Sequence, residues 1–532
     1  MYNRRKFIKV LSGGLAALPF LKATSIAQNA NKPNLLFIIT DQQRWDALSY
    51  AGNTILQTPN LDRLASESAY FELAHTECPV CAPARTSILT GRSIQNTGVQ
   101  INRDAKDNVP VPYKTFDELL AEQGYTTRYY GKWHSPVRLA EKYDNAVSPS
   151  GMGNWERGPG MKPLYMAYLK DRFPQSPLKP GEQYCTFDER PYVPDPIDTR
   201  YGMAPVESFK VIRRELKVSQ PDHHGKSTIP AEYSITAMQA KDTINALEQI
   251  QDKPFSLTCS FHFPHPPMAV SEPYASIYPP EDMPVPESIN DPMDNSPYRD
   301  ANDRLELEEY RDKEKIRYMI SNYYRLVKEI DDWIGKILAK LDDLGLSDNT
   351  MVIFTSDHGE MMGAHGMRSK NVFYNEAVHI PLIIRFPVRI KKGTRVSEPV
   401  SQIDLYATIL DYLGIDGIHS DGASLRRFIE KTHNDKDPFA VSEWRFHKDD
   451  VPTLMVCTKK WKFFCPHTPD SRVMNVLYDL ENDPYEMHNL LGSNPDAKTY
   501  EEQAEYMKSL LVSWLEKVNS PHLDSVKKRP GL

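Results

Sequence analysis

Four segments of this 532-residue chain place carboxylate, amide, lysine or histidine side chains directly after an apolar run. Each apolar run is typical of a β-strand, and ligands of α/β sheets bind beyond the carboxyl ends of the strands. We therefore expect these side chains to meet at one edge of a sheet. The segments are Asp41-Gln42, Gly131-Lys132-Trp133-His134, Pro264-His265-Pro266 and Asp357-His358-Gly359.

The chemistry of these side chains suits an ester of sulfate or phosphate. Carboxylate and amide oxygens are the ligands that hard divalent cations prefer, whereas lysine and histidine suit an anionic substrate. Together they provide charge neutralisation and a proton donor for the leaving oxygen. Taken singly, each segment has a simpler interpretation as a turn, a solvated charge or a hydrogen-bonded loop histidine. Only their joint occurrence favours a functional site.

A cysteine motif lies between the first two of these segments. Cys81-Ala82-Pro83-Ala84-Arg85 is followed by a stretch that contains Thr and Ser and by Gly91-Arg92. Cys78 and Cys81 also form a Cys-x-x-Cys pair, which is compatible with a redox centre or with half of a zinc site. The sequence has no second pair of this spacing to complete a four-cysteine zinc site.

The segment from Cys81 to Arg92 resembles the signature of the type I sulfatase family, Cys-x-Pro-x-Arg followed by a Thr/Ser-rich turn and Gly-Arg. The resemblance covers most of the chain, including the four strand-end segments. It implies an alkaline-phosphatase-like α/β fold, in which helices sandwich a large mixed β-sheet and a smaller α+β subdomain follows. Further matching residues are Pro33-Asn34, Glu360, Lys370, Leu477-Tyr478-Asp479-Leu480, Asp483-Pro484, Glu486 and Asn489-Leu490.

By this resemblance, Cys81 is oxidised to formylglycine (3-oxoalanine), and the hydrated aldehyde is the nucleophile. One hydroxyl of the hydrate attacks sulfur, and the other is later deprotonated, which expels sulfate and restores the aldehyde. Arg85 lies one helical turn after Cys81 and can hold these hydroxyls, while a helix N-terminus favours negative charge there. The interpretation disfavours a Cys78–Cys81 redox pair. It also implies a partner, either a formylglycine-generating enzyme or an anaerobic sulfatase-maturating enzyme.

The resemblance further implies a divalent cation. Its ligands are residue 81 together with Asp41, Gln42, Asp357 and His358. The commonest pattern of the family has Asp-Asp first and Asp-Asn second, so Gln42 and His358 depart from it. We expect Ca²⁺ because most of the ligands are oxygen, and the imidazole leaves Mg²⁺, Mn²⁺ or Zn²⁺ open.

Four further residues take catalytic roles by the same resemblance. Lys132 and Lys370 hold the sulfate group. His134 is the partner of the hydrate and assists the elimination step, and His265 is the general acid that protonates the leaving alcohol. We expect both histidines to titrate in the range that such proton transfers need.

An α/β arrangement of strands and helices must position these residues. Apolar runs predict strands at 34–40, 125–130, 255–263 and 351–355. Apolar residues at three- and four-residue steps predict helices at 235–250, 316–341 and 403–413. The Pro- and Tyr-rich segments 140–225 and 265–305 are typical of long surface loops.

The texture of the sequence changes after about residue 435. We predict a signal segment at 1–27, a catalytic domain at 28–435 and a C-terminal subdomain at 436–532. In the subdomain, short strands are predicted at 461–464 and 476–480 and a helix at 500–518. Cys457 and Cys465 flank a predicted hairpin, and a disulfide between them after export is an open alternative.

The N-terminus has the pattern of an export signal. Arg4-Arg5-Lys6 resembles a twin-arginine motif and precedes a short apolar stretch and small residues suited to cleavage. The chain is therefore expected to be periplasmic or secreted. An N-terminal membrane anchor is the alternative, although a span needs about 20 apolar residues and this run is shorter. No later stretch is apolar enough to span a membrane, and the net charge of −7 argues against nucleic acid as a partner.

The expected substrate is a sulfated polysaccharide or oligosaccharide, of algal type (ulvan or carrageenan) or a glycosaminoglycan. This expectation comes from the resemblance to exported bacterial carbohydrate sulfatases. A phosphodiester or phosphonate monoester hydrolase of the same superfamily can share the formylglycine and remains an alternative. A non-catalytic glycan-binding relative is another, but it has no need of Cys81 and Arg85 together. Candidate sugar contacts, each also compatible with an ordinary surface residue, are Arg200, His223, His224, Arg445 and His447.

Overall fold

The structure is a computed structural model, which describes residues 32–137, 161–176, 224–299, 311–416, 419–433, 435–448 and 450–531. The predicted signal segment and two of the candidate sugar contacts, Arg200 and His223, lie outside the described residues. The side chain of His224 is not described either.

The strands form a large, a small and a two-stranded sheet. Their bounds are β1 (Asn34–Asp41), β2 (Ala69–His75), β3 (Thr126–Gly131), β4 (His224–Lys226), β5 (Phe255–Pro264), β6 (Met268–Val270), β7 (Thr350–Ser356), β8 (His379–Arg385), β9 (Thr394–Ser401), β10 (Ala440–Glu443), β11 (Leu454–Cys457), β12 (Trp461–Cys465) and β13 (Val476–Asp479).

The helices lie between and after these strands. Their bounds are α1 (Pro59–Ser66), α2 (Cys81–Thr90), α3 (Ile94–Thr97), α4 (Asn102–Lys106), α5 (Phe116–Glu122), α6 (Met161–Arg172), α7 (Ile235–Ile250), α8 (Lys313–Asp343), α9 (Asn375–Val378), α10 (Asp404–Tyr412), α11 (Arg426–Ile429), α12 (Glu501–Lys517) and α13 (Leu523–Lys528).

The large sheet is mixed and has the strand order β3-β5-β1-β7-β8-β2-β9. Strands β3, β5, β1 and β7 are parallel neighbours, whereas β8 runs antiparallel to both β7 and β2. The four strands predicted from apolar runs are these four parallel neighbours, so the prediction of an α/β sheet is confirmed. Their carboxyl ends therefore lie side by side at one edge.

Every residue of β1 is buried, because helices cover both faces of the large sheet. Successive side chains of a strand point to opposite faces. Leu36 and Ile38 join the apolar core that includes α7 and α8, whereas Phe37 joins the core that includes α5 and α10. The near-continuous apolar run of the sequence follows from this double coverage.

The three predicted helices are confirmed, with small shifts at their ends. Helix α8 begins three residues earlier than its apolar periodicity indicates, because Asp312 accepts hydrogen bonds from the backbone amides of Glu314 (3.0 Å) and Lys315 (3.2 Å). The helix ends before Gly345, whose φ of +67° is a left-handed conformation that glycine adopts readily.

The C-terminal subdomain is built on the antiparallel sheet β10-β11-β12-β13, against which α12 packs. Cys457 and Cys465 are both free thiols, so the open alternative of a disulfide between them is wrong. The register of β11 and β12 explains this result, because it places Cys457 opposite Lys462 and Cys465 opposite Leu454. The two thiols therefore lie at opposite ends of the paired segment.

A buried ion pair joins the small sheet to the segment that follows Lys370. The Nζ atom of Lys462 on β12 lies 2.7 Å from Oε1 of Glu486 and 2.6 Å from Oδ1 of Asn375. Lys462 and Glu486 are 0% and 1% exposed. Since removal of one member of a buried pair costs about 3–5 kcal/mol, this contact fixes the position of the segment.

The prediction of surface loops at 265–305 is only partly right. Met268 and Val270 are buried on β6, and Met283, Ile289 and Tyr298 are buried as well. The described part of the segment, residues 265–299, packs against the apolar cores instead of projecting into solvent. No helix in the described part of the chain is long and apolar enough to cross a membrane.

Candidate active site

The four strand-end segments meet at the carboxyl edge of the large sheet. Asp41 is the last residue of β1, Lys132 follows β3, His265 follows β5 and Asp357 follows β7. These four strands are parallel neighbours, so the placement follows directly from the strand order.

Cys81 is the first residue of α2, and it is buried at this edge. The backbone amide of Ala82 donates a hydrogen bond to Oδ1 of Asn102 (3.0 Å), which satisfies one unpaired N–H group of the helix start. The helix ends at Gly91, where φ is +65° and a Cβ atom would lie 2.6 Å from both Tyr406 and Ser420. The glycine of the Gly-Arg motif is therefore required both by its φ and by close packing.

One potential ligand atom from each of four buried residues lies within 4.8 Å of all the others. The residues are Asp41, Cys81, Asp357 and His358, which we call the ligand cluster. The Nε2 atom of His358 lies 3.0 Å from Sγ of Cys81, 3.7 Å from Oδ1 of Asp357 and 3.8 Å from Oδ1 of Asp41. Sγ of Cys81 stands here for the oxygen atoms that a formylglycine hydrate would present.

The protonation state of His358 fits a metal ligand. Its Nδ1 atom donates a hydrogen bond to the carbonyl oxygen of Gly359 (2.9 Å), so Nε2 carries the lone pair that faces the ligand cluster. Burial lowers the pKa of His358 to about 3, against the opposing effect of Asp357, so the ring is neutral near pH 7. A neutral imidazole between two carboxylates is a suitable donor set for a divalent cation.

Asp357 is held in one orientation by three N–H donors. Its Oδ1 atom accepts hydrogen bonds from the backbone amides of Gln42 (3.0 Å) and His358 (2.9 Å), and its Oδ2 atom accepts one from Nε of Arg85 (2.7 Å). Hydrogen bonds of this kind favour the ionised carboxylate.

Gln42 has a left-handed backbone (φ +72°) and a fully engaged side chain. Its Nε2 atom donates to Oε2 of Glu360, and its Oε1 atom accepts a hydrogen bond from Nζ of Lys370. An amide oxygen has two lone pairs, so this oxygen can bind a cation and Lys370 together. The amide therefore fits the predicted ligand role.

Arg85 connects three elements of the edge. Besides Asp357, it contacts the carbonyl oxygen of Lys132 and the hydroxyl of Ser260, both at 2.8 Å from Nη1. Its Nη2 atom is buried and has no hydrogen-bond partner among the described residues. This atom is the one part of the guanidinium that remains available to a ligand.

The two lysines contact residues predicted as metal ligands. Nζ of Lys132 pairs with Oδ2 of Asp41, and Nζ of Lys370 contacts Gln42 as described above. Both lysines are buried, with exposed fractions of 1% and 9%. Buried lysines are unusual unless they are paired, and here two of them face one anionic cluster.

His134 and His265 lie beside the two lysines. The pKa of each lies well below its ordinary value because of burial and the nearby charges of Lys132 and Lys370. Both rings are therefore neutral near pH 7 in the ligand-free protein, contrary to the expectation from sequence. The Nδ1 atom of His265 donates to the carbonyl oxygen of Pro266 (2.5 Å), which leaves Nε2 for a substrate.

Sequence reasoning gave no role to three residues that lie at this edge. Ser260 and His262 on β5 are buried, and the ring of His262 lies 5.4 Å from that of His265. Ser260, His262 and Pro264 are spaced two residues apart along β5, so they lie on the same face of the strand. This spacing could have predicted that Ser260 and His262 approach the site. Glu360 was part of the Asp-His-Gly-Glu run but carried no assignment.

The two described candidate sugar contacts make contacts elsewhere. Arg445 pairs with Asp450 (3.3 Å), and Nδ1 of His447 lies 3.2 Å from Oε1 of Gln100. Among the hydrogen bonds and ion pairs of the described residues, none joins either side chain to the ligand cluster.

A sequence model of the family described as Sulfatase matches residues 33–415, which is more than half of the chain. The chain belongs to the sulfatase family. A second model, described as N-sulphoglucosamine sulphohydrolase, C-terminal, matches residues 363–514 of this sulfatase. The protein is therefore an enzyme of the sulfuric ester hydrolase class, with the fold that the resemblance implied.

Two curated relatives match nearly the whole sulfatase. An arylsulfatase of Clostridium perfringens is 28% identical over 94% of this chain and 98% of its own length. An ulvan-active sulfatase of Formosa agariphila is 28% identical over 91% of this chain and 81% of its own. A phosphonate monoester hydrolase from Silicibacter pomeroyi has the same fold, with a TM-score of 0.69, 23% identity and coverage of 91% and 96% of the two chains.

Proposed function

We propose that this sulfatase hydrolyses sulfate esters of a sulfated polysaccharide or oligosaccharide, with a formylglycine made from Cys81 and one divalent cation. The observation that carries the proposal is the ligand cluster, in which Cys81 lies against Asp41, Asp357 and His358. The buried basic side chains of Arg85, Lys132 and Lys370 surround it and suit a sulfate group.

Asp41, Gln42, Asp357 and His358 would hold the cation together with residue 81. When bound, the cation neutralises charge on the sulfate group and on the attacking oxygen. Ca²⁺ remains our first choice because most of these ligands are oxygen, and Mg²⁺ and Mn²⁺ are the alternatives that the imidazole favours.

Converted to formylglycine and hydrated by one water molecule, residue 81 supplies two hydroxyl groups, one to attack sulfur and one whose deprotonation releases sulfate and restores the aldehyde. Arg85 holds these hydroxyls through its available Nη2 atom. His134 accepts the proton of the second hydroxyl. His265 donates a proton from Nε2 to the ester oxygen as the bond between this oxygen and sulfur breaks. An anionic sulfate raises the pKa of His265 on binding, which charges the ring when it is needed.

A carbohydrate substrate is supported by the relatives. One is named an ulvan-active sulfatase, and an N-acetylglucosamine-6-O-sulfatase of Bacteroides thetaiotaomicron is 26% identical over 91% of this chain. The N-terminal sequence supports export to the periplasm or beyond, where polysaccharides are met. A formylglycine-generating or anaerobic sulfatase-maturating enzyme is the partner that conversion of Cys81 requires.

The test is a desulfation screen of the matured enzyme on sulfated oligosaccharides of algal and glycosaminoglycan type, read by mass spectrometry. Loss of 80 Da (about the mass of SO₃) from at least one sugar supports the proposal, and unchanged masses with every sugar overturn the carbohydrate assignment. Matched nitrophenyl sulfate, phosphate and phenylphosphonate esters form the second arm. A larger kcat/KM on phosphorus esters would favour a phosphodiester or phosphonate monoester hydrolase instead.

A further inference from the structure

Glu360 lies beside the ligand cluster but is not part of it. It is buried, with an exposed fraction of 1%, and it follows Asp357 by three residues. Its backbone amide donates to the carbonyl oxygen of Glu376 (2.8 Å), and its carbonyl oxygen accepts a hydrogen bond from Nη1 of Arg44 (3.2 Å). The backbone of Glu360 is therefore fixed independently of its carboxylate.

The carboxylate of Glu360 receives hydrogen bonds from three N–H groups. Oε2 accepts from Nε2 of Gln42, and Oε1 accepts from the backbone amides of Met362 (3.2 Å) and Ser369. Both oxygens face donors, so an ionised carboxylate satisfies every partner. A neutral amide at this position would set its NH₂ group against an N–H donor in either orientation.

These contacts determine the orientation of the Gln42 side-chain amide. The NH₂ group must face the carboxylate of Glu360, and the oxygen must face the ammonium of Lys370. Donation to a carboxylate also polarises the amide and makes its oxygen a stronger electron donor. The bond from Ser369 to the same carboxylate holds the residue next to Lys370.

We propose that Glu360 is a positioning residue of the cation site, which orients the Gln42 amide oxygen as a ligand and aligns Lys370 on it. The inference rests on the proposed function, because it assumes that the ligand cluster holds a divalent cation. Outer hydrogen-bond partners of this kind typically change metal affinity by about 10–100-fold.

Three variants test the proposal, with Mn²⁺ as the probe and the free ion counted by electron paramagnetic resonance. Glu360→Gln should weaken Mn²⁺ binding about 10–100-fold. The exchange of both residues, Gln42→Glu with Glu360→Gln, should recover most of this loss. In the exchanged pair, the amide at position 360 accepts from Met362 and Ser369 and donates to the carboxylate at position 42, whose other oxygen accepts from Lys370.

The matched control is Glu329→Gln on α8, another buried Glu-to-Gln change. Glu329 is buried and accepts a hydrogen bond from Ser234, and both residues are distant in sequence from every predicted ligand. The Glu329→Gln variant should therefore bind Mn²⁺ with the affinity of the wild type. Far-ultraviolet circular dichroism checks that each variant folds. If Glu360→Gln alone does not fold, the exchanged pair still decides, because the change at position 42 restores folding only through its contact with residue 360.

The outcomes separate the two levels of the proposal. Wild-type enzyme that binds no Mn²⁺, and in which elemental analysis finds no other divalent cation, overturns the cation site and this inference together. Wild-type enzyme that binds one Mn²⁺ per chain, with unchanged affinity in Glu360→Gln, overturns the inference alone. A loss in Glu360→Gln that the exchange does not recover also overturns it, because a purely structural role is not restored by a change at position 42.

Discussion

The Nε atom of Arg85 lies 2.7 Å from Oδ2 of Asp357, and both side chains are at most 2% exposed. The pair joins α2, which begins with Cys81, to the residue that follows β7. The residue that would become the nucleophile is thereby held against a predicted metal ligand. Because Arg85 also contacts Lys132 and Ser260, the guanidinium fork is needed as a whole.

Arg85→Lys should therefore lower kcat/KM on a sulfate ester by about 10²–10³-fold, as loss of one positioned donor does in other enzymes. A single ammonium cannot contact Asp357, Lys132 and Ser260 together and still reach the substrate. Steady-state kinetics with a thermal melt measure the change. The control is Arg63→Lys, because the ion pair between Arg63 and Asp342 is exposed. Its kcat/KM should lie within about twofold of the wild-type value. Equal losses in both variants would contradict the role of Arg85.

Cys81 should be converted to formylglycine when a competent maturation system is present. Peptide mass spectrometry of active enzyme should show loss of the thiol at this position and intact thiols at Cys259, Cys457 and Cys465 in the same digest. Cys81→Ser should be inactive unless the host converts serine. Full activity with an unmodified Cys81 would exclude the proposed nucleophile.

Asp357→Ala should remove the cation and nearly all turnover. The substitution takes away a ligand and leaves Arg85 buried without its partner, a change that costs about 3–5 kcal/mol. Elemental analysis counts the metal, and circular dichroism checks the fold. Asp348→Ala is the control, because Asp348 is exposed just before the opposite end of β7 and should keep full metal content. Active wild-type enzyme without metal would rule out the site.

His265→Ala should impair desulfation of a sugar far more than that of nitrophenyl sulfate. A sugar alkoxide is too basic to leave unaided, and a positioned acid contributes about 10²–10⁴ in rate, whereas nitrophenolate needs little help. The ratio of kcat/KM between wild type and variant on both esters measures the effect. The exposed His488→Ala should change neither value. Equal losses on both esters would mean that His265 only positions the sulfate group.

The buried carboxyl group of Asp117 should make the stability of the fold depend on pH, independently of catalysis. Burial raises its pKa from 3.8 to about 7, so the folded state binds a proton more tightly than the unfolded state. This contribution to stability is complete below about pH 4 and is lost as the pH rises through about 7.

Denaturant unfolding of the wild type and Asp117→Asn across pH 4–8 isolates this group. The difference in unfolding free energy should fall with rising pH by up to roughly 4 kcal/mol. A difference that does not change with pH would show that Asp117 is ionised in the folded state at all these values.

Much of the site follows from the sequence, because the residues that end parallel strands must share an edge. Asp41, Lys132, His265 and Asp357 each follow an apolar run, and Cys81 stands in a motif whose spacing places Arg85 one helical turn away. Their roles stay predictions, but their meeting at one edge is a property of the fold.

Other features depended on the tertiary structure. The order β3-β5-β1-β7 made the four strands direct neighbours, and the register of β11 and β12 separated Cys457 from Cys465. Neither feature can be predicted from the local spacing of apolar residues, because strand order and register are set by packing between distant segments.

The protonation states were decided in the same way. From the sequence we expected His134 and His265 to titrate near neutral pH. In the fold, burial and the nearby lysines lower the pKa of both, so the rings are neutral. The sequence predicted no role for Glu360, because its hydrogen bond with Gln42 exists only in the folded chain. A side chain carries its own chemistry, but its pKa and its partners come from burial and from charges that only the folded chain brings close.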